Sequence, residues 1–410
     1  MDFDDTPDEA AFRAKARAFL DANAARRTPG QVEGYRRGQD RPGALEAARD
    51  FQRRKYEAGF AGISWPVEWG GRGGTAIQEV IYAQEESKYD VLSGFFTIGL
   101  AMAIPTICTH GTAEQRARYA VPALRADEVW CQLFSEPAGG SDLAALRTRA
   151  VRDGDEWVVN GQKIWTSGAH YCQYGVLVAR TDFDAPKHKG LTYFIMPMDS
   201  KGLEIRPIRQ MSGSSHFNEV FFNDVRIPDS LRVGKVGEGW RVALTTLMRE
   251  RHGMRESPGP DVAELFELAR GLTLEDGPAL DNAAVKERLA EWYTRTQGLR
   301  FTRYRTMTAL SRGQTPGPES SITKVTAANK LQEIVAYGLD LMGMAGVEAG
   351  PEMPVAGLFE EALLYAPALR IAGGTDEILR NIIAERVLGL PGDARADKDV
   401  PFRDVPTGAR

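Results

Sequence analysis

Apolar residues recur at helical spacing over residues 10–23, where Phe12, Ala16, Phe19 and Leu20 share a face, and the alternation returns over 44–60. The first third of the chain therefore reads as helical. Between Trp130 and Ile227 the pattern changes to short β-rich runs at 156–159, 174–178, 191–195 and 218–222, separated by turn residues. No helix of useful length interrupts them, which favours an antiparallel sandwich or barrel over parallel βαβ winding. Helical patterning resumes after Pro228, over 240–248, 283–310, 322–342 and 376–387, broken by Gly-Pro loops at 257–260 and 313–318. The expected architecture is α+β: an N-terminal helical domain (1–126), a central antiparallel β domain (127–234), a C-terminal helical bundle (235–395) and a tail (396–410). The tail is short, charged and proline-bearing, and reads as frayed. Residues 28–43, with Pro29, Gly30, Gly34, Gly38 and Pro42, read as a surface loop.

Length and charge narrow the function. A chain of 410 residues exceeds one usual core, so several packed units are expected. A formal net charge of −5 gives no basic field for nucleic acid, and DNA binding is set aside. Cys108, Cys131 and Cys172 lie far apart without C-x-x-C spacing, which argues against a disulfide framework or structural zinc and suits a reducing cytoplasm. The acidic start Met1-Asp-Phe-Asp-Asp has neither the basic region of a signal peptide nor the Arg/Ser richness of a transit peptide. The uncharged run 91–108 approaches membrane length, yet Ser93, Gly94, Gly99 and Pro105 make it a buried helix and no membrane span. The five histidines show no i, i+4 pair, and no metal is expected.

Two strips carry the chemistry. The first is Gln132-Leu-Phe134-Ser135-Glu136-Pro137-Ala-Gly139-Gly140-Ser141-Asp142, which offers small residues, backbone N–H groups and hydroxyls where a chain must approach a polar, partly anionic ligand. The second, Asn160-Gly-Gln-Lys163-Ile-Trp165-Thr-Ser167, adds an indole suited to covering an aromatic ring. Taken singly, the first suits an ordinary turn and the second a core tryptophan. Their order and separation point to a flavin site.

In these strips the sequence resembles the acyl-CoA dehydrogenase family, whose fingerprint runs close to Leu-Thr-Glu-Pro-x-Ala-Gly-Ser-Asp and Asn-Gly-x-Lys-x-Trp-Ile-Thr. The resemblance continues through Gly62-Ile-Ser-Trp65-Pro66, Trp69-Gly-Gly71, His110-Gly111-Thr-Ala-Glu-Gln115, Gly237-Glu-Gly239-Trp240 and Gly373-Gly374-Thr375-Asp-Glu377-Ile, from about residue 50 to about 390. It implies FAD, contacted by Gln132, Phe134, Ser135, Gly140, Ser141, Trp165, Ser167, Thr375 and Glu377, with Ser135 and Ser167 keeping the hydroxyl of the family's threonines. The absence of a Rossmann glycine motif agrees with this family. Asp340 stands where the family has a late glutamine, and its Arg-x-x-Phe-Gly strip is not recognisable.

The reaction implied is α,β-dehydrogenation of an acyl-CoA, in which a base removes the Cα proton while a hydride leaves Cβ for flavin N5. Most members carry the base in a Tyr-Glu-Gly-Thr strip. This chain reads Ala372-Gly373-Gly374-Thr375, so Gly373 retains only a backbone N–H to stabilise the thioester oxygen. A minority branch, including steroid side-chain acyl-CoA dehydrogenases, places the base on an earlier helix just before an arginine, and here Glu250-Arg251 occupies that position. Gly239, Ala243, Leu247 and Glu250 step along one helical face. Burial raises a carboxyl pKa towards the range of a base, Arg251 opposes the rise, and Arg251 and Ser141 are candidate substrate contacts. Glu250 as a solvated member of the charged run 249–252 is the alternative.

As partners the family implies an electron-transfer flavoprotein and an oligomer, a homotetramer or dimer, or a hetero-oligomer with a paralogue. The open space left at Gly373 suits branched or steroid-type acyl groups. Two other readings stay open: a non-catalytic, flavin-binding subunit of a mixed tetramer, and a flavin oxidoreductase acting on another substrate.

Overall fold

The computed structural model describes residues 5–27, 39, 41–253, 259–311, 317, 320–347, 354–392, 397 and 399–405. The expected 28–43 loop lies almost wholly outside the described residues. Helices α1 (Pro7–Asn23), α2 (Ala44–Glu57), α3 (Ala76–Glu86), α4 (Ile104–His110) and α5 (Ala113–Leu124) come first. Capping boxes start three of them: Thr6 with Glu9, Thr75 with Gln78 and Thr112 with Gln115. Strands β1 (Trp130–Leu133), β2 (Arg149–Asp153), β3 (Glu156–Ser167), β4 (Tyr174–Arg180), β5 (Leu191–Pro197), β6 (Leu203–Ile208), β7 (Phe217–Pro228) and β8 (Arg232–Val233) follow. The chain ends in helices α6 (Gly239–Gly253), α7 (Val262–Arg270), α8 (Ala283–Ser311), α9 (Ser320–Met342), α10 (Pro354–Leu369) and α11 (Asp376–Ile382).

These elements pack as two units. The first comprises Met1–Ala44, Gly74–Leu92 and Met254–Gly392. Its helices close around Leu265, Leu268, Trp292, Ile334 and Phe359. A Cβ on Gly338 of α9 would come within 2.4 Å of the Phe359 ring of α10, so glycine is what lets these helices approach. Lys330 Nζ donates to both Asp261 oxygens and to Thr296, each at 2.7 Å, tying the start of α7 to α8 and α9.

The second unit comprises Leu45–Gly73, Ser93–Gly253 and Asp393–Arg410. Its sheet runs in the order β6-β7-β3-β2-β4-β5-β8, with β1 beside β4. Most neighbours are antiparallel, as the patterning implies. β1 is an exception, running parallel to β4 from Trp130 opposite Tyr174 to Leu133 opposite Leu177. The crossover needed between parallel strands is supplied by the β2–β3 hairpin in place of a helix. β4 and β5 are buried almost throughout. One face of these strands meets a core of Ile104, Ile107, Tyr119, Val242 and Ala243.

The uncharged run belongs to that core. Ser93–His110 is apolar and long enough to cross a membrane, but Ala103, Ile104, Thr106 and Ile107 are wholly buried, and Ile98–Ala103 forms a π-helical turn. The tail departs from expectation. Phe402 is 1% exposed, because its ring is covered by the Arg180 and Arg147 guanidinium groups, so this part of the C-terminus docks where fraying was expected.

Candidate functional site

Within the second unit the two strips are joined by one buried charge. Lys163 of β3 is wholly buried and its Nζ donates to the Phe134 carbonyl at 2.9 Å and to Glu136 Oε1 at 2.8 Å. The Glu136 carboxylate also accepts from the backbone N–H groups of Arg147 (2.6 Å) and Thr148 (2.8 Å). Burial pushes its pKa up, but the Lys163 ammonium and these donors outweigh it and hold the carboxyl below its ordinary value. The Ile164 N–H donates to the Ser135 carbonyl at 2.9 Å, completing the seam.

This seam brings Gln132, Ser135, Gly140, Ser141, Trp165 and Ser167 onto one unit, each half-buried or exposed. Phe134 differs: its side chain is 4% exposed and meets Tyr193 edge-on at 6.0 Å, so only its backbone is available to a ligand. Among the described residues, its chain neighbours aside, no atom lies within 4 Å of where a Cβ on Gly140 would sit, and none of them requires glycine there. A ligand pressed against the backbone would.

Trp165 is the most informative residue. It has φ 59°, a left-handed conformation that a bulky side chain adopts only under constraint, and it is 56% exposed. The constraint is an irregularity in the β3–β7 register between Lys163 and Thr166. Buried Asn218 holds it by donating to the carbonyls of Thr166 (3.0 Å) and His216 (3.2 Å). Phe217 supports the indole edge-on at 5.9 Å. Beside it the Thr166 hydroxyl is buried with no partner among the described residues. An exposed, strained indole on the same unit as open glycine backbone and small hydroxyls fits a flat, polar-edged ring system such as a flavin.

α6 belongs to the same unit. A Cβ on Gly239 would come within 2.6 Å of the Thr192 backbone, so the helix starts in direct contact with β5. Val242, Ala243 and Thr246 are wholly buried, and the next turn of that face carries Glu250. The side chains of Glu250 and Arg251 lie outside the described residues. Thr246 Oγ1 meets the Tyr193 hydroxyl at 3.0 Å and the Thr106 hydroxyl at 3.1 Å, a network that sequence patterning did not reveal because each residue alone reads as ordinary β or helix filler. His110 Nε2 lies 2.8 Å from the Thr245 hydroxyl; burial, and then Arg241, hold its pKa below the ordinary value.

Gly373, Thr375 and Glu377 lie in the first unit. Gly373 and Gly374 have φ 68° and 98°, and among the described residues no backbone carbonyl accepts from the Gly373 N–H. The Lys324 ammonium donates to the Gly374 carbonyl at 2.6 Å. Arg370 pairs with the buried Asp376 at 2.7 Å. The Thr375 hydroxyl caps α11 by accepting from the Ile378 N–H at 3.3 Å, and Glu377 is exposed. Among the described residues no group of three His, Cys, Asp or Glu side chains gathers as a metal site, and all three cysteines are buried free thiols.

Comparison with known proteins gives a consistent answer. Sequence profiles for the N-terminal, middle and C-terminal domains of acyl-CoA dehydrogenase match residues 6–127, 131–225 and 237–388. The chain is 38% identical over 396 residues, 94% of its length and 98% of the relative's, to acyl-CoA dehydrogenase IpdE1 of Mycobacterium tuberculosis. It is 30% identical over 408 residues to acyl-CoA dehydrogenase FadE29 of the same organism, covering 95% of this chain and 99% of that one. Among solved structures it resembles the Tcur3481-Tcur3483 steroid ACAD with TM-score 0.75 and 29% identity, over 96% of this chain and 100% of that one. The ChsE4-ChsE5 complex from Mycobacterium tuberculosis matches with TM-score 0.76 and 28% identity, again over 96% and 100%.

Proposed function

The chain belongs to the acyl-CoA dehydrogenase family, FAD-dependent oxidoreductases acting on acyl-CoA thioesters, and from that premise we propose that it dehydrogenates a bulky, branched or steroid-type acyl-CoA. The observation that carries the cofactor assignment is Trp165, held left-handed and exposed in the second strip. Gln132, Ser135, Gly140, Ser141 and Ser167, the Phe134 backbone, and Thr375 and Glu377 are the further FAD contacts. When bound, FAD supplies the hydride acceptor for the substrate Cβ.

The protein's own part is proton removal and charge stabilisation. Glu250 takes the Cα proton, Arg251 orients the carboxylate or the substrate, and the Gly373 N–H donates to the thioester oxygen as it gains negative charge. Backbone donors suit that oxygen because they neither titrate nor swing away. With glycine at 373 no second carboxylate competes for the proton, and the volume freed there favours a large acyl group. The similarity to a protein described as a steroid ACAD supports the same substrate class.

Electrons pass onward to an electron-transfer flavoprotein in the cytoplasm, and the chain works as an oligomer. The ChsE4-ChsE5 and Tcur3481-Tcur3483 structures each combine two differently named chains, which favours a second reading in which this chain pairs with a paralogue and is not itself catalytic. Anaerobic mixing of the purified chain with short, long, branched and steroid acyl-CoAs separates the two. Bleaching of the flavin absorbance by the bulky substrates is the expected outcome. Bleaching only after a paralogue is added supports the mixed assembly, and yellow protein unmoved by any thioester points to another oxidation.

A further inference from the structure

The docked C-terminus converges on the loop that carries Ser141. Lys187 donates from Nζ to Asp142 Oδ2 at 2.8 Å and also pairs with Asp397, so one ammonium holds a carboxylate of the first strip and one from the C-terminal segment. Arg180, wholly buried, donates to the carbonyls of Ala144 (2.6 Å) and Leu146 (3.1 Å) in the short turn after Asp142, and its guanidinium lies 3.4 Å from the centre of the Phe402 ring. Backbone bonds seat the segment: Phe402 N–H to the Ala185 carbonyl at 3.1 Å and Arg403 N–H to the Phe183 carbonyl at 3.0 Å, with Pro401 bridged to Pro186.

Gly140, Ser141 and Asp142 are exposed, and an unrestrained loop of this composition samples many conformations. A carboxylate at Asp142 left to itself would also repel an anionic ligand at the adjacent serine. Lys187, shared with Asp397, offsets that charge in part and fixes the direction of the carboxylate. Phe402 and Arg180 fix the turn that follows.

We propose that the C-terminal segment around Asp397 and Phe402 is a built-in strap that orders the Gly140-Ser141-Asp142 loop for FAD, with Lys187 and Phe402 as positioning residues. The proposal rests on the assignment of Ser141 to the cofactor. Its ligand chemistry is the phosphate-bearing half of a dinucleotide, and its consequence is that cofactor affinity depends on a segment remote in sequence from both strips.

The test is FAD titration of full-length apoprotein, followed by flavin fluorescence. Lys187→Met and Phe402→Ala are expected to weaken FAD binding roughly ten- to a hundredfold, since the cost of ordering the loop then falls on cofactor binding. The conservative changes Lys187→Arg and Phe402→Tyr should restore most of the affinity, which a general loss of packing would not do. Asp397→Asn, at a partly exposed position that does not threaten folding, should weaken binding several-fold, and circular dichroism of each apoprotein verifies its fold. Wild-type affinity in folded Lys187→Met together with folded Asp397→Asn would overturn the strap. If wild-type protein binds FAD and Ser141→Ala binds it equally well, the loop assignment falls and the strap falls with it. If wild-type protein binds no FAD, the cofactor reading of the whole site is at fault.

Discussion

The Lys163 ammonium and the Glu136 carboxylate meet at 2.8 Å with both side chains buried. The two residues belong to different strips and hold them in register.

Replacing Lys163 with Met should therefore destabilise the second unit by about 3–5 kcal/mol, because it strands a buried carboxylate. The double variant Lys163→Met with Glu136→Gln should recover part of that loss, since a neutral amide can still accept from the Arg147 or Thr148 N–H. Urea unfolding of the single and double variants measures the difference, and equal losses would show that the stranded carboxylate is not what makes Lys163→Met costly.

Trp165→Ala should loosen FAD by about 1–3 kcal/mol through lost ring contact, while removing a ring that is 56% exposed and leaving the left-handed backbone as it is, since alanine keeps a Cβ. The folded apoprotein should accordingly lose little stability. Equilibrium dialysis against FAD and thermal melts of the apoprotein read the two effects separately, and unchanged affinity would mean that the indole faces something other than the flavin.

Glu250→Gln keeps size and most hydrogen bonding but removes basicity. Turnover should fall by roughly two to four orders of magnitude with FAD and acyl-CoA binding retained. Adding Gly373→Glu restores the majority arrangement and should return some activity on straight-chain substrates. Normal turnover in Glu250→Gln would remove this residue as the base.

Acid should unsettle the first unit through Glu85. Burial pushes its carboxyl up, but hydrogen bonds from Arg17, Lys88 and Arg13 outweigh that and hold it at about 2, below its ordinary 4.5. A folded pKa below the unfolded one gives stability that is complete above the unfolded value and is lost as pH falls from there toward the folded value. Glu85→Gln should be less stable than wild type at neutral pH, and the gap should narrow between pH 4.5 and 2 in denaturant titrations.

Gly239→Ala should be costly despite helix propensity favouring alanine, because the new methyl would stand 2.6 Å from the Thr192 backbone. A loss of about 1–3 kcal/mol by chemical denaturation is expected. A more stable variant would mean that α6 can lift from β5 at no expense.

The helix–sheet–helix order was legible because β3, β4, β5 and β7 have strong β patterning and α8 and α9 are long. α10 was not: Pro354–Leu369 is so apolar that it shows little polar face to give a period. α7 is short, yet its capping box of Asp261 and Glu264 was a usable signal. β6 has no fully buried residue and carries Pro207 within it, so its residues looked like loop. In the site, motif spacing located both strips, but the roles of Lys163, Lys187 and Arg180 depend on partners 27 to 45 residues away in sequence, which no local pattern encodes. Phe402 was misread for the same reason: a lone aromatic in a polar tail gives no hint of the cations that receive it.

The placement of α6 bears on how such an enzyme diverges. A carboxylate at position 373 would be carried by the first unit, whereas position 250 is carried by the unit that holds both cofactor strips. On the proposed assignment the proton acceptor shares its scaffold with both strips, so substitutions in the first unit away from Gly373, Thr375 and Glu377 leave its spacing from them unaltered.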